Sequence, residues 1–418
     1  MLPDSYSPRR VHTPRIVANL SLAAASVVVA LGAAEFLLRT ALPPSRGYFT
    51  LAPGTDWTLT LAPGVIHGVE GPSHFRINRF GLRGRPFGDD RAEYRILAVG
   101  GSSTLCDALD DSEVWTHLLE VDLGRTVDGR QVWVGNVGRD GATSRDHVLH
   151  VKYLLREYPR VDVVVSLIGA NDMTSALQQG WRYRPRAPIT EPGAEHEQVP
   201  WAFAQLPGRL QDQAFYDTHP VPWYKATALW QLARGAKQAL RRRRATGSRE
   251  IGLGLQRARL QRYTAATRID TLPPLEAPLS EYRRNLNVMA DLASAAGVRL
   301  VFVTQPTAWR EGMSDAEERL LWFGWIVTPD TLRRAYFTTR AVSRAMARFN
   351  ETLLDVCRAR RLECVDAAHV VPQDTTALYD DVHFNEHGSR LLALVLAEHF
   401  RGRPPFRRLP ERAPAAPR

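Results

Sequence analysis

The chain has 418 residues, of which 44% are hydrophobic and 23% charged, a composition typical of a globular protein with a sizeable core. Its net charge of +10 comes mainly from arginine, but the arginines are scattered and accompany no nucleic-acid-binding motif, so we expect no nucleic-acid partner. The three cysteines form no Cys-x-x-Cys pair and no Cys/His metal spacing, which excludes a disulfide-dependent scaffold. We therefore expect no metal and no cofactor.

The first predicted element is an apolar helix near the N-terminus. Residues 16–34 carry no charge, and as a helix they would span about 28 Å, close to the thickness of a membrane's hydrocarbon core. Arginines dominate the charge of residues 1–15, and positive residues favour the cytoplasmic side of a membrane. We therefore expect a cytoplasmic N-terminus over 1–15, a single membrane span over 16–38, and export of the remaining chain.

A cleaved signal peptide is the alternative interpretation of this helix. The sequence "LGAA" offers small residues at a cleavage site. The apolar run is longer than that of a usual signal peptide, however, and "EFLLRTAL" continues the helical pattern beyond it. An uncleaved anchor is therefore favoured.

After the anchor, residues 39–90 are predicted to form a linker followed by a segment of short strands. From 91 to 402 the pattern changes, because five short apolar runs alternate with amphipathic helices. This alternation predicts a parallel sheet covered by helices on both faces. The predicted strands cover 95–101, 131–138, 161–169, 298–306 and 362–368. The predicted helices cover 112–124, 144–158, 280–297, 340–361 and 387–400.

One long segment interrupts this alternation. Residues 174–279 are rich in proline, arginine and tryptophan and show no strand signals, so we interpret them as an insertion that forms a lid or a substrate-binding subdomain. Its densest charge cluster, Arg241–Arg244, follows a predicted helix and is interpreted as a solvated helix end. The Pro/Arg-rich residues 403–418 are predicted to be a disordered tail.

Polar residues suited to acyl transfer follow four of the five strands, where ligands bind in open parallel sheets. They are "GGSST" after the first strand, Gly141 after the second, "GAND" after the third and "YDDVHFNEHG" after the fifth. A P-loop is excluded because no lysine follows the first turn, and the glycines have the wrong spacing for a dinucleotide site. A serine, amide donors and an Asp-x-x-His pair together supply the parts of acyl transfer.

These blocks, in this order, resemble the SGNH, or GDSL-like, hydrolase superfamily over roughly residues 91–400. The resemblance is strongest to its membrane-anchored bacterial branch, which carries a "GGSST" turn. It implies a flavodoxin-like three-layer α/β/α sandwich with a five-stranded parallel sheet. Gly101 stands where an aspartate is more usual, a departure that we expect to leave catalysis intact.

The resemblance also implies roles for individual residues. Ser102 would be the nucleophile, with Asp380 and His383 as the other members of a triad. The backbone amide of Gly141 and the side chain of Asn171 would donate hydrogen bonds to the oxyanion.

Neighbouring polar residues are assigned structural roles. Ser103 and Thr104 are alternative nucleophiles, but helix capping is the simpler role for both. Asp172 is expected to orient its loop rather than to take part in chemistry. Asp381 and His387 lie beside the Asp-x-x-His pair and are expected to be bystanders.

The predicted function is that of an exported serine esterase, anchored by its N-terminal helix in the bacterial inner or cytoplasmic membrane with the catalytic domain in the periplasm. Its substrate would be an acyl ester, and the location favours an O-acylated envelope glycan. The alternatives are hydrolysis of phospholipids or small esters, a polysaccharide O-acetyltransferase, and a non-catalytic glycan-binding protein on the same fold. In such a compartment Cys357 and Cys364 either form a disulfide or remain two packed thiols.

Overall fold

The structure is a computed structural model, and it describes residues 13–42, 44–45, 48–88, 92–158, 160–189, 210–211, 221–242, 246–327 and 334–407. The chain divides into two compact units. The smaller unit comprises Met1–Gly47 and Gln205–Arg241, and the larger unit comprises Tyr48–Ala204 and Arg242–Arg418.

The described secondary structure is as follows. The helices are α1 (Thr13–Ala41), α2 (Ser102–Leu105), α3 (Trp115–Leu123), α4 (Ser144–Glu157), α5 (Ala170–Gln179), α6 (Ala228–Arg242), α7 (Leu253–Tyr263), α8 (Glu276–Ala295), α9 (Asp315–Glu318), α10 (Thr339–Arg360), α11 (Ala367–Val370) and α12 (Glu386–Arg401). The strands are β1 (Pro44–Ser45), β2 (Asp56–Leu61), β3 (Pro72–Arg76), β4 (Glu93–Gly100), β5 (Gln131–Asn136), β6 (Val163–Leu167), β7 (Leu210–Gln211), β8 (Thr246–Ile251), β9 (Arg268–Ile269), β10 (Arg299–Val303), β11 (Trp325–Val327), β12 (Arg334–Phe337) and β13 (Glu363–Val365).

A five-stranded parallel sheet forms the centre of the larger unit, with strand order β13-β10-β6-β4-β5. Its four longer strands are buried along almost their whole length, as expected for parallel strands that are covered on both faces. All five strands coincide with predicted strands. When the five strands are numbered 1 to 5 along the chain, their order across the sheet is 5-4-3-1-2, which is the flavodoxin-like order.

The helices around this sheet fall into two groups. α3 packs against α12, while α8 packs against both α4 and α10. Right-handed crossovers place the first group on one face of the sheet and the second group on the other. The predicted three-layer α/β/α sandwich is therefore confirmed.

The order of the strands determines where loops can meet. The chain leaves β4 for β5 on one side and returns to β6 on the other side of β4. The loops that follow β4, β5 and β6 consequently project from the same edge of the sheet, at the point where ligands bind in open α/β sheets.

The predicted insertion contains strands that its sequence does not signal. β7, β8 and β9 lie within residues 174–279, and β8 pairs in parallel with β2. Five of the six residues of β8 are exposed. The strand therefore depends on backbone pairing with β2, and no alternation of apolar residues marks it in the sequence.

The C-terminal tail gives a correction. The predicted disorder begins too early, because the described residues up to 407 pack against the larger unit. The centroid of the Phe406 ring lies 5.4 Å from that of Tyr94 and 5.9 Å from that of Phe400. The backbone N–H of Val127 donates a hydrogen bond to the carbonyl of Pro405. The rest of the predicted tail, residues 408–418, lies outside the described residues.

The two cysteines left open by the sequence form a disulfide. It joins Cys357, in the last turn of α10, to Cys364 in β13, with a Cα–Cα distance of 6.3 Å. Cys106 is a buried free thiol, and burial raises its pKa to about 12.

The smaller unit contains the N-terminal helix. Within α1, the 25 residues Val17–Ala41 are long and apolar enough to cross a membrane, and a signal sequence has the same properties. The unit also contains α6, whose first backbone N–H groups donate to the carboxylate of Glu35 in α1.

Candidate active site

The turn after β4 presents Ser102 at the start of a one-turn helix. β4 ends at Gly100, Gly101 is extended, and α2 begins at Ser102. A Cβ atom added to Gly101 would lie 2.5 Å from Nδ2 of Asn171. The absence of a side chain at Gly101 thus allows the Asn171 amide to lie directly against the turn that carries Ser102.

A buried arginine holds the far end of this turn. The guanidinium of Arg83, which is 2% exposed, donates to the carbonyl oxygens of Leu105, Cys106 and Leu109 and forms an ion pair with Asp111. Helices leave carbonyls unpaired at their C-terminus, and Arg83 satisfies that of Leu105, the last residue of α2. The sequence did not reveal this role, since nothing in the segment around Arg83 distinguishes a buried arginine from an exposed one.

His383 joins Ser102 to Asp380 by hydrogen bonds. Its Nε2 lies 2.7 Å from Oγ of Ser102, and its Nδ1 lies 2.8 Å from Oδ2 and 2.9 Å from Oδ1 of Asp380. Oδ1 of Asp380 also accepts the backbone N–H groups of Val382 and His383. The carboxylate therefore holds both the loop and the imidazole, and it favours the tautomer in which Nε2 can accept the serine proton.

Trp322 supports the same carboxylate from another loop. Its indole N–H donates to Oδ2 of Asp380 at 2.9 Å. The loop is held in turn by Asp381, whose carboxylate accepts the backbone N–H groups of Trp322 and Phe323 and the indole N–H of Trp309. Sequence reasoning missed Trp322, and Asp381, expected to be a bystander, instead positions the residue that contacts Asp380.

The two expected oxyanion donors lie at the same place. Gly141, in the loop after β5, has φ +70°, a conformation that glycine adopts without strain. Asn171 lies in the first turn of α5 rather than in an irregular turn, and one of its Nδ2 hydrogens donates to the carbonyl of Ala142 at 2.9 Å. Its second Nδ2 hydrogen remains for another acceptor.

A cavity of about 320 Å³ brings these groups together. Ser102, Gly141, Asn171, Asp380 and His383 all line it. The remaining walls are apolar or aromatic except for two acids, and they are formed by Ile66, Asp107, Ala108, Asp140, Ile251, Gly252, Leu255, Trp322, Phe323 and Tyr379. Three of these residues, Ile251, Gly252 and Leu255, come from the predicted insertion.

The electrostatics of the cavity favour a charged imidazole. Burial opposes protonation of His383, but the charge and hydrogen bonds of Asp380 outweigh it. With further contributions from Asp107 and Asp140, they raise the pKa of His383 to about 9. Burial also opposes ionisation of Asp380, yet His383 and the surrounding donors hold the pKa of this carboxyl below its usual value.

Asp140 is a second perturbed carboxyl in this cavity. The residue is exposed at the cavity wall, but the surrounding protein partly desolvates its carboxyl. This desolvation and the charge of Asp107 raise its pKa to about 6. Its carboxyl is therefore mostly ionised above this pH, where it adds to the negative potential at His383.

The alternative residues are placed differently. Ser103 is buried, and its Oγ donates to the carbonyl of Val382 and accepts from Gln305, so the expected capping role is wrong. Thr104 is also buried and does not cap α2. His387 is exposed at the start of α12 and does not line the cavity.

Asp172 has the structural position that was expected of it. Both of its carboxylate oxygens accept the backbone N–H of Ser144, which joins the start of α5 to the start of α4. Burial raises the pKa of Asp172 to about 7. Within the part of the chain that the structure describes, no group of three or more His, Cys, Asp or Glu residues could hold a metal ion.

The model of the GDSL-like lipase/acylhydrolase family matches residues 97–391. No curated protein matches the chain.

Similar solved structures include a lipolytic protein of the G-D-S-L family from Veillonella parvula DSM 2008, with 11% identity, a TM-score of 0.36 and coverage of 73% of this chain and 98% of that one. The acetylxylan esterase Axe2 from Geobacillus stearothermophilus has 15% identity, a TM-score of 0.35 and coverage of 73% and 93%. A lipase/acylhydrolase from Enterococcus faecalis has 15% identity, a TM-score of 0.35 and coverage of 74% and 96%.

Proposed function

The chain belongs to the GDSL-like lipase/acylhydrolase family, and we propose that it is a serine esterase whose nucleophile is Ser102. The observation that carries the proposal is the continuous chain of hydrogen bonds from Ser102 through His383 to Asp380, at 2.7 and 2.8 Å. A nucleophile, a base and a residue that orients the base are the minimum set for acyl transfer to serine.

The first half of the reaction forms an acyl-enzyme. Oγ of Ser102 attacks the ester carbonyl carbon while Nε2 of His383 takes the hydroxyl proton. The tetrahedral intermediate then expels the alcohol, which receives that proton from the imidazolium. Asp380 remains ionised throughout and stabilises the positive charge on His383.

The second half releases the acid. Water enters at the position of the departed alcohol, loses a proton to His383 and attacks the acyl carbon, which frees Ser102. A sugar hydroxyl in place of water would transfer the acyl group instead, so the same residues serve a hydrolase and an O-acetyltransferase.

The negative oxygen of each tetrahedral intermediate needs donors that are already in place. The N–H of Gly141 and the second Nδ2 hydrogen of Asn171 fit this role, since both residues line the cavity beside Ser102. The contact of Asn171 with Ala142 fixes the side chain before substrate arrives, which is the preorganisation that such donors require.

The walls of the cavity bear on the class of substrate. Trp322, Phe323, Tyr379 and Ile251 offer apolar surface for an acyl chain, and a volume of about 320 Å³ suits a small or medium ester better than a long lipid chain. We propose that α1 is a single membrane span, and that the natural substrate is an O-acylated glycan of the cell envelope, on the side of the membrane opposite the N-terminus.

An ester series tests the proposal. The purified full chain in detergent is incubated with p-nitrophenyl acetate, butyrate and palmitate, with and without an O-acylated glycan. Turnover of the shorter esters that Ser102→Ala abolishes would support an esterase. Acyl transfer to the glycan without matching hydrolysis would show a transferase, and ester or glycan binding without any turnover would show a non-catalytic protein.

A further inference from the structure

Helix α6 exposes its apolar side. Leu229, Leu232, Ala236 and Leu240 follow the spacing of one helical stripe. Leu232 is 42% exposed and Leu240 is 65% exposed, and Ala236 is exposed as well. Leu229, at the start of the stripe, is half-buried, whereas the other three residues are exposed in the part of the chain that the structure describes.

The buried side of α6 is a different one. Gln231 is 4% exposed and Gly235 is buried, together with Ala228 at the first turn. In a helix of a water-soluble domain the apolar stripe faces the core and the polar residues face water. In α6 Leu232 and Leu240 are exposed instead, which an apolar neighbour beyond the described residues would explain.

The charge around α6 indicates which neighbour that is. Residues 221–244 contain no aspartate or glutamate, and their seven cations are Lys225, Arg234, Lys237 and Arg241–Arg244. Two copies of such a segment would repel each other. A surface of anionic lipid headgroups would attract it and would also offer acyl chains to the leucines.

An aromatic cluster stands at the start of the helix. Trp223 is 80% exposed, Tyr224 is 41% exposed and Trp230 is 42% exposed. The ring of Tyr224 contacts both tryptophans, with its centroid 6.2 Å from that of Trp223 and 5.1 Å from that of Trp230. Tryptophan and tyrosine are enriched at the boundary between headgroups and acyl chains, where an apolar ring with a polar edge fits best.

Hydrogen bonds fix the height of α6 along α1. The carboxylate of Glu35 accepts the backbone N–H groups of Ala228 at 2.8 Å and Leu229 at 3.0 Å. Arg39 pairs with Glu35 and donates to the carbonyl of Ala226 at 3.0 Å. Glu35 directly follows the uncharged run 16–34, so the first turn of α6 is tied to the level at which that run ends.

We propose that α6 lies in the headgroup region of the membrane that α1 spans, with Leu232 and Leu240 directed towards the acyl chains and its cations towards anionic headgroups. The inference rests on the proposed membrane span of α1. It makes the anchor a two-part device, in which one helix crosses the bilayer and a second helix lies on its surface. Of the cluster Arg241–Arg244, interpreted from the sequence as a solvated helix end, Arg241 and Arg242 are the last residues of α6, and Arg243 and Arg244 lie outside the described residues.

Labelling of the full chain in vesicles tests this placement. In a Cys106→Ala background, which removes the free thiol, single cysteines replace Leu240 and Leu232 on the exposed apolar stripe, Gln238, and Ser26 within α1. Gln238 is the matched control, because it lies two residues from Leu240, which on a helix is a rotation of about 200° around the axis. Each cysteine carries an environment-sensitive fluorophore, and the vesicles contain lipids with brominated acyl chains at a 3:1 ratio of phosphatidylcholine to phosphatidylglycerol.

We expect strong quenching at positions 26, 232 and 240, and little at 238. Replacing phosphatidylglycerol by phosphatidylcholine should reduce quenching at 232 and 240 at least twofold without changing it at 26. Quenching at 26 with 232 and 240 as unquenched as 238 would overturn the placement of α6 while the span stands. No quenching at 26 would overturn the span and the inference together. Labels at 232 and 240 that are shielded from aqueous iodide but not quenched by lipid would overturn the placement, because protein and not lipid would then cover the stripe.

Discussion

The indole N–H of Trp322 donates to Oδ2 of Asp380 at 2.9 Å, so the carboxylate that orients His383 is itself held from a loop some sixty residues earlier in the chain. The same oxygen also bonds to Nδ1 of His383 at 2.8 Å. Trp322 is thereby a positioning residue for the proposed base, in addition to forming part of the cavity wall.

Trp322→Phe should reduce kcat about tenfold, because a hydrogen bond to a charged group contributes roughly 1.5–3 kcal/mol and its loss frees the carboxylate to turn. The remaining ring keeps the cavity wall, so KM for p-nitrophenyl acetate should change little. Steady-state kinetics separate the two constants. Trp325→Phe, at a tryptophan outside the cavity, is the control and should leave both unchanged. An unchanged kcat for Trp322→Phe would show that Asp380 needs no such support.

Gly101→Ala should act through Asn171. The added Cβ would lie 2.5 Å from Nδ2 of Asn171 and would push this donor away from its position. We expect kcat to fall roughly 10²–10³-fold, as for Asn171→Ala, because each variant removes one oxyanion donor. The double variant should be no worse than either single one.

Gly254→Ala is the control for this cycle, since a Cβ there meets nothing within 4 Å. Fully additive losses in the double variant of Gly101 and Asn171 would contradict the shared mechanism.

The pH dependence should follow the charge state of His383. Only the neutral imidazole can accept the serine proton, so kcat/KM should rise with pH towards the His383 pKa of about 9. Asp140→Asn removes a negative charge that stabilises the imidazolium. Its rising limb should therefore move to lower pH, by about one unit at most. A rate profile measured on a neutral ester from pH 5 to 10 gives the shift, and a shift to higher pH would refute the assigned sign.

Thiol counting checks the disulfide. On the denatured, unreduced protein we expect one reactive thiol, that of Cys106, because Cys357 and Cys364 are bridged. Reduction before denaturation should raise the count to three. Three thiols without reduction would mean that the pair is only packed.

Four strands of the central sheet could be predicted because each is buried on both faces and therefore appears as an apolar run. β4 and β6 are of this kind. β8 is not, since its residues are exposed and its conformation depends on pairing with β2, which a local pattern cannot show. The tail was misjudged for the same reason, because Phe406 is ordered by distant rings.

At the site, the sequence located the residues of the proposed chemistry but not those that hold them. Ser102, Asp380 and His383 stand out because each follows a strand in a recognisable block. Trp322 and Arg83 act through contacts that join segments far apart in the chain, and neither lies in a motif. Gly101 was expected to leave catalysis intact, and what its missing side chain does, which is to give Asn171 room, could be read only from the structure.

The most direct test of the proposed function is reaction of the full chain with a fluorophosphonate probe, followed by mapping of the modified residue and by kinetics of the same variants. We predict a single adduct on Ser102, and turnover reduced on the order of 10⁶-fold in both Ser102→Ala and His383→Ala, with the double variant little worse because the two residues act as one unit. Ser103→Ala should keep most activity, since its Oγ is engaged with the carbonyl of Val382. An adduct on Ser103, or labelling that persists in Ser102→Ala, would contradict the assignment of the nucleophile.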